Sequence, residues 1–298
     1  NIFIGPTWPH YRKSLIDELV NLNDQTYFYG AKNYLTNKLL SNDKNVKNIF
    51  NHYSFKILNH RFYWYKSFFN KINFKDAEKI IIVGFDPHMI HLIFLIIYLK
   101  FFLKKEFYWW SHANFGNQGK LGFLFRLNFY KLAKGILCYS QAGKNRLISF
   151  GIPKKNISVN NNCLNYEDYG WLNYNLGYKN KKKFTIVLSG KLNKEKNIPL
   201  LIYALKIIVP RDNSINCIIL GDGDMFPVIK KIINRNNLSA NIKLIGSKYG
   251  KEAHKYLLVA DLHVIPGSVG LSIVHGFSFG LPLLTSDKKE IHRPEIEL

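Results

Sequence analysis

Short, continuously apolar runs alternate with longer stretches of helical period along almost the whole chain. In the first half, "NIFIG" (1–5), "EKIIIVGF" (78–85), "EFYWWSH" (106–112) and "KGILCYS" (134–140) read as strands. Unbroken apolar character is expected of parallel strands buried on both faces, which have no solvent side to mark with polar residues. Between them, Leu15, Ile16, Leu19 and Leu22 share one helical face, and helices are predicted over 89–103, 120–133 and 141–150. Ser140 is placed to cap the last of these, and Gly151 with Pro153 to stop it. The second half restarts the rhythm, with strands predicted at 183–190, 215–223, 241–246, 260–266 and 281–287. Alternating βα units predict an α/β protein whose parallel sheets carry helices on both faces.

A polar stretch rich in Asn, Tyr, Gly and Lys interrupts the alternation near the midpoint. It divides the chain into a first domain over 1–165, a linker over 166–182 and a second domain over 183–298. Two doubly wound, Rossmann-like domains joined in this way are expected to face each other across a cleft at the carboxyl ends of their strands, where open α/β sheets bind ligands. The most apolar run, "MIHLIFLIIYLKFFL" (89–103), falls short of the roughly 20 residues a membrane span needs. It contains His91 and Lys100 and reads as a buried helix.

Composition narrows the function classes. Apolar residues at 47% and aromatics at 15% exclude a disordered chain. Against 20 Asp and Glu stand 42 Lys and Arg, a net charge of +22 that favours anionic partners such as sugar nucleotides or acidic lipid. The abundance of Asn, Lys and Ile makes that charge permissive, not diagnostic. Cys138, Cys163 and Cys217 show no C-x-x-C spacing, which argues against a disulfide framework or zinc site and fits a cytoplasmic setting. The stretch "HYSFKILNHRFYWYKSFFNK" (52–71) interleaves aromatics with Lys, Arg and His. It reads either as an amphipathic helix with its aromatic face in the core or as a peripheral patch for an anionic membrane. No nucleic-acid motif accompanies it, so no nucleic-acid partner is expected.

Candidate chemistry gathers where predicted strands end. "SGKLNKEKN" (189–197) follows a strand with Gly190 and brings Lys191 and Lys196 onto the loop before a helix, a setting for a diphosphate or simply for a solvated loop. "LGDGD" (220–224) has Asp222 and Asp224 at metal-site spacing, but Gly221 and Gly223 make it a tight turn, and the turn reading is preferred over Mg²⁺. In "PGSVGLSIVHGFSFGLP" (266–282), Gly267 and Gly270 allow a tight turn, Leu271 starts a helix, and Gly280 and Pro282 end it. The N–H groups near Gly270, Leu271 and Ser272 are expected to face an anion, and His275 lies one turn further in, as a ligand contact or a satisfied core histidine. "WWSHANFG" sets His112 at a strand's carboxyl end, to meet a substrate hydroxyl or to sit idle in a loop. "GPTWPHYRK" (5–13) has Gly5, His10 and Arg12 at the first turn but lacks G-x-G-x-x-G, which weighs against a dinucleotide.

Taken together, these motifs resemble family 4 of the retaining glycosyltransferases, which have the GT-B fold. The likeness is strongest over 183–298, in "SGKLNKEKNIPLLIYAL", "ILGDGDM", "LIGSKYGKEAHKYLLVADLHVIPG" and "GLSIVHGFSFGLP". It implies a nucleotide-diphosphate-sugar donor in the second domain and a glycan or polyprenyl-linked acceptor in the first. It also implies transfer with retention, as in bacterial surface polysaccharide biosynthesis, with neither cofactor nor essential metal. Lys191 and Lys196 would hold the diphosphate, and His112 would stand near the transferred sugar. Gly190, Gly221, Gly223, Ser247, Lys248, Gly267, Ser268, Gly270, Leu271, Ser272 and His275 would line the donor. The family's E-x₇-E glutamates are here Gly267 and His275, the glycine pair at the first turn is replaced, and the chain is expected to be a fragment without the closing helices. The alternative is a catalytically silent nucleotide-sugar-binding or partner subunit of the same fold.

Overall fold

The structure, a computed structural model, describes residues 1–8, 12–32, 44–57, 60–66, 68–84, 88–113, 120–162 and 183–298. The chain separates into two compact units, Asn1–Asn161 and Asn162–Leu298. The linker expected at 166–182 lies outside the described residues, as do His10 and Cys163.

The first unit runs β1 (Ile2–Ile4), α1 (Lys13–Leu22), β2 (Tyr27–Ala31), β3 (Val46–Ile57), β4 (His60–Lys66), β5 (Ile80–Val83) and α2 (Ile90–Ile97). It continues with β6 (Phe107–Ser111), α3 (Lys120–Leu132), β7 (Gly135–Cys138), α4 (Gln141–Ser149) and β8 (Ile157–Val159). The strands form one sheet in the order β4-β3-β2-β1-β5-β6-β7-β8, parallel throughout except where β3 meets β4. The order reverses between β1 and β5, as in a doubly wound sheet. The apolar runs β1, β5 and β6 lie at its centre, where both faces are covered, which is why they show no polar alternation. Ser140 caps α4 by accepting from the Gly143 N–H at 3.0 Å.

The second unit runs β9 (Thr185–Ser189), α5 (Ile198–Ile208), β10 (Asn216–Leu220), α6 (Phe226–Arg235), β11 (Ile242–Gly246), α7 (Lys251–Leu258), β12 (Leu262–Ile265), α8 (Ser272–Ser278) and β13 (Leu283–Thr285), then short 3₁₀ turns at Lys289–Ile291 and Pro294–Glu297. Its parallel strands are ordered β11-β10-β9-β12-β13, so the switch point falls between β9 and β12. The helices pack apolar stripes on the sheet, exemplified by Ile198, Leu201, Ile202 and Leu205 of α5.

Several expectations need correction. Residues 52–71 do not form a helix: most of that stretch belongs to the β3–β4 hairpin, paired from Asn51↔Lys66 to Ile57↔His60. The alternation of Tyr53, Phe55 and Ile57 was its period-two signal, masked by a dense run of aromatics that also satisfies a helical stripe. Leu22 does not join the buried face of α1; it is exposed at the helix end, while Ile16 is buried. The 89–103 helix starts at Ile90 and widens into a π turn over Tyr98–Phe102, where the Leu103 N–H reaches back to the Tyr98 carbonyl at 3.0 Å. β2, β3, β4 and β8 were not anticipated. The thiols of Cys138 and Cys217 are buried, and that burial pushes both up to about 12, leaving them inert.

Candidate functional site

The switch point of the second unit brings together the loops that follow β9, β10 and β12. After β9 the chain turns through Gly190, whose φ of 126° is open to glycine, and passes the exposed Lys191 to a 3₁₀ turn at Lys194–Lys196. The β10 loop packs beneath it. A Cβ on Gly221 would lie 1.9 Å from the Gly190 carbonyl oxygen, and one on Gly223 would lie 2.4 Å from that of Leu192. With both side chains absent, the Leu192 N–H donates to the Asp222 carbonyl at 2.9 Å and the Met225 N–H to the Leu192 carbonyl at 3.0 Å. Asp222 and Asp224 are exposed, Asp222 Oδ1 accepts from the Gly223 N–H at 2.7 Å, and neither aspartate side chain caps α6. Among the described residues no group of three His, Cys, Asp or Glu could hold a metal ion.

The β12 loop closes over the same turn. The Gly267 N–H donates to the Lys196 carbonyl at 3.0 Å and the Ser268 N–H to the Glu195 carbonyl at 2.7 Å. In return, Lys196 Nζ donates to the Ser268 carbonyl at 2.7 Å. A Cβ on Gly267 would sit 2.0 Å from the Glu195 carbonyl oxygen, so this backbone admits no side chain there. The N–H groups of Gly267 and Ser268 are thus engaged by protein. Burial pulls the Lys196 ammonium down to about 8, with Glu195 opposing the shift, Arg293 adding to it and Glu295 opposing it. Gly190, Lys196 and Ser272 meet, since a Cβ at 190 would contact Lys196 Cε at 3.9 Å and Ser272 Cβ at 3.8 Å. The Ser272 hydroxyl is buried without a hydrogen-bond partner.

Beneath these loops lies a residue that the sequence reading missed. His263, on β12, is fully buried, and its Nε2 is 3.1 Å from Ser189 Oγ. Burial, then the charge of Lys196 and the neighbouring His275, hold its pKa down to about 4, so the ring is neutral. Its Nδ1 has no hydrogen-bond partner and faces Gly276, where a Cβ would come within 2.4 Å. His275 itself is half-buried on α8. A histidine inside an apolar strand was the available signal.

The segment after β13 also returns to this place. The Val269 N–H donates to His292 Nδ1 at 3.1 Å, and the Arg293 N–H to the Val269 carbonyl at 2.8 Å. Arg293 pairs with Glu195 at 3.2 Å, and its Cγ would stand 3.4 Å from a Cβ on Gly270. Glu295 is buried with Oε1 accepting from Asn162 at 2.9 Å and Oε2 without a partner. No local motif flags His292, Arg293 or Glu295, because only the fold brings them to the β12 loop. Leu271 is half-buried at the start of α8. Ser247 is exposed after β11, and Lys248 pairs with Glu252 at 3.4 Å along the start of α7. No described contact joins this pair to Lys196.

In the first unit His112 is exposed at the carboxyl end of β6, its ring stacked on Tyr139 with centroids 4.3 Å apart. Arg12 donates to the Tyr139 hydroxyl at 2.8 Å and lies over the Trp110 ring at 4.9 Å. An anchored guanidinium and an exposed imidazole therefore share the carboxyl end of this sheet.

Residues 177–296 match the family model for glycosyl transferases group 1. The amylovoran biosynthesis glycosyltransferase AmsK of Erwinia amylovora is 24% identical over 170 residues, covering 54% of this chain and 40% of that protein. The uncharacterized glycosyltransferase MJ1059 of Methanocaldococcus jannaschii is 28% identical over 130 residues, covering 41% and 32%. This chain therefore matches less than half the length of either relative. Among solved structures, Anabaena Alr3699/HepE in complex with UDP and glucose superposes with a TM-score of 0.63 at 15% identity, over 99% of this chain and 82% of that one. WaaG, a glycosyltransferase involved in lipopolysaccharide biosynthesis, gives 0.57 at 9% identity, over 100% and 83%. Residues 177–296 are thus similar to the group 1 glycosyltransferases, and the chain has the α/β fold of its solved GT-B neighbours.

Proposed function

We propose that this protein is a glycosyltransferase that moves a sugar, with retention, from a nucleotide-diphosphate sugar to a glycan or polyprenyl-linked acceptor. The setting is surface polysaccharide biosynthesis, on the cytoplasmic side of an anionic membrane. The observation that carries the reading is Lys196, an ammonium tied to the Ser268 carbonyl at the switch point of a doubly wound sheet. Open α/β sheets bind ligands at such points, and a partly buried cation there suits a diphosphate. The nucleotides bound by HepE support the donor class.

In this reading Lys196, with Lys191, neutralises charge on the departing nucleoside diphosphate as the glycosidic bond breaks. The burial that lowers the lysine's pKa also strengthens its pull on a phosphate oxygen. Ser272 offers the donor a hydroxyl that no protein group uses. Gly190 and Gly270 let the backbone approach, Gly221 and Gly223 hold the Lys191–Lys196 loop from below, and Gly267 with Ser268 locks it from above. Leu271 contributes apolar contact. His275 reads a donor hydroxyl, giving one hydrogen bond and accepting another where a carboxylate would accept two. Ser247 and Lys248 are assigned to the base, and His112 to a hydroxyl of the transferred sugar. The donor is a substrate, and the reading calls for no cofactor and no metal.

The test is a panel of nucleotide sugars screened by thermal shift. A donor at 100 times its dissociation constant should add about 2.7 kcal/mol, a rise of several degrees. The same donor should release nucleoside diphosphate only when acceptor is added. No shift with any of the panel refutes the donor site. Gly267 and His275 in place of two acids favour a second reading, a silent nucleotide-sugar-binding subunit. That reading predicts the shift without the release.

A further inference from the structure

We propose that the β3–β4 hairpin and α2 form the surface by which this protein lies against an anionic lipid bilayer. This deepens the membrane part of the reading above and does not depend on the donor site.

Tyr53, Phe55 and Ile57 alternate along β3, so all three project from one face of the hairpin, and all three are exposed. Their partners across the hairpin are Trp64, Phe62 and His60. Phe55 stacks on Phe62 at 5.8 Å, and Trp64 meets Phe94 of α2 edge-on at 5.9 Å. From Phe94 the apolar path continues at helical spacing through Ile97 to Phe101. Phe94 is 52% exposed, Phe101 65% and its neighbour Phe102 74%. Side chains of this size would normally face a core. Here a strand face and a helix stripe run together as one uncovered apolar path, the kind of surface that marks an interaction site.

Charge identifies the occupant. Neither 46–66 nor 88–105 contains an Asp or a Glu. Lys66 continues the row of Trp64, Phe62 and His60 and so shares the aromatic face, whereas Lys56 and Arg61, register partners of each other, lie on the opposite face. Lys66 is exposed, as are Lys100 in the π turn that continues α2 and Lys104 just after it. A second copy of this chain docked about a two-fold axis would set cations against cations, with no carboxylate in either patch to offset them. A bilayer with anionic headgroups supplies hydrocarbon for the aromatic path and phosphate for Lys66, Lys100 and Lys104. Tyr53 and Trp64 suit the headgroup boundary, where an apolar ring and a polar tip are both satisfied. No helix among the described residues is long and apolar enough to cross a membrane, so the contact proposed is peripheral.

The test is sedimentation of the chain with vesicles of phosphatidylcholine alone or mixed with phosphatidylglycerol. Binding is expected to the mixed vesicles only and should weaken as salt rises. Lys66→Gln with Lys100→Gln should weaken it about 25-fold, roughly fivefold for each cation. Phe101→Ser should weaken it on the order of tenfold. Circular dichroism and melting should be unchanged, because these side chains are exposed. If the Lys66 variant fails to fold, Lys100→Gln and Phe101→Ser in the π turn carry the same test. Equal binding to neutral vesicles, binding to neither, or variants that bind like the parent overturn the proposal. So does a lipid-free dimer, seen by ultracentrifugation, that Phe101→Ser dissolves, since it identifies a second copy as the occupant. Nucleotide-sugar stabilisation needs no lipid, so the donor reading and this one can fail separately.

Discussion

Gly267→Ala should be among the most damaging single-methyl changes in the second unit. The backbone at 267 lies outside the left-handed region, so the cost is steric and not conformational. The new Cβ would meet the Glu195 carbonyl oxygen at 2.0 Å and the Lys196 carbonyl carbon at 2.6 Å, and both are backbone atoms that cannot swing aside. Relief requires the β9 and β12 loops to part, which breaks the Gly267–Lys196 and Ser268–Glu195 backbone hydrogen bonds at 3.0 and 2.7 Å. About 1 kcal/mol for each bond and about 1–3 kcal/mol for overpacking give a loss of about 3–5 kcal/mol. In a domain of this size that corresponds to a fall in melting temperature of roughly 10 °C. Lys196 also loses its Ser268 anchor, so donor affinity should drop together with stability. Gly267→Glu, with a larger side chain against the same carbonyl, should be at least as harmful. Calorimetry of the two variants, with donor titration of whatever remains folded, checks this. A Gly267→Ala protein that melts within about 2 °C of the parent and binds donor equally well would refute the reasoning.

Lys196 gives two pH dependences of opposite sign. Its folded pKa of about 8 lies below the ordinary lysine value of 10.5, so between those values the unfolded chain holds more proton and stability should rise with pH. Donor affinity should fall through the same window as the ammonium is lost, and melting and titration series from pH 7 to 10 that moved in parallel would exclude the assignment. His263, with a folded pKa of about 4 against 6.5, should make the second unit acid-labile, losing roughly 3 kcal/mol between pH 6.5 and 4. His263→Asn should flatten that limb of a stability–pH curve. Gly276→Ala drives a methyl to 2.4 Å from His263 Nδ1, and His263→Ala should relieve part of that cost in the double variant, a coupling of about 1–3 kcal/mol by chemical denaturation. His275→Ala should weaken the donor without moving the melting temperature of the free protein, and unchanged affinity would remove His275 from the site.

Much of the fold was legible in the sequence because it depends on local signals. The central strands of both sheets, α4 with its Ser140 cap, and the repeating βα rhythm of residues 183–298 all follow from hydrophobic period and turn chemistry within a few residues. The hairpin at β3–β4 did not, since its aromatics are dense enough to satisfy either period and the choice rests on pairing with a strand across the turn. Lys191, Lys196 and the glycines after β9, β10 and β12 could be singled out as strand-end residues. Their relations could not: that Gly221 fits beneath Gly190 and Gly223 beneath Leu192, or that Gly267 is closed to any side chain, depends on segments far apart in the chain. The neutral pKa of His263 and the return of His292, Arg293 and Glu295 to the β12 loop belong to the same class. Burial and electrostatic environment are properties of the packed chain, and no local pattern encodes them. The sequence by itself determined the central strands, the βα rhythm of 183–298 and the residue types at their ends; the tertiary structure alone decided the β3–β4 hairpin, which residues meet, and in what charge state.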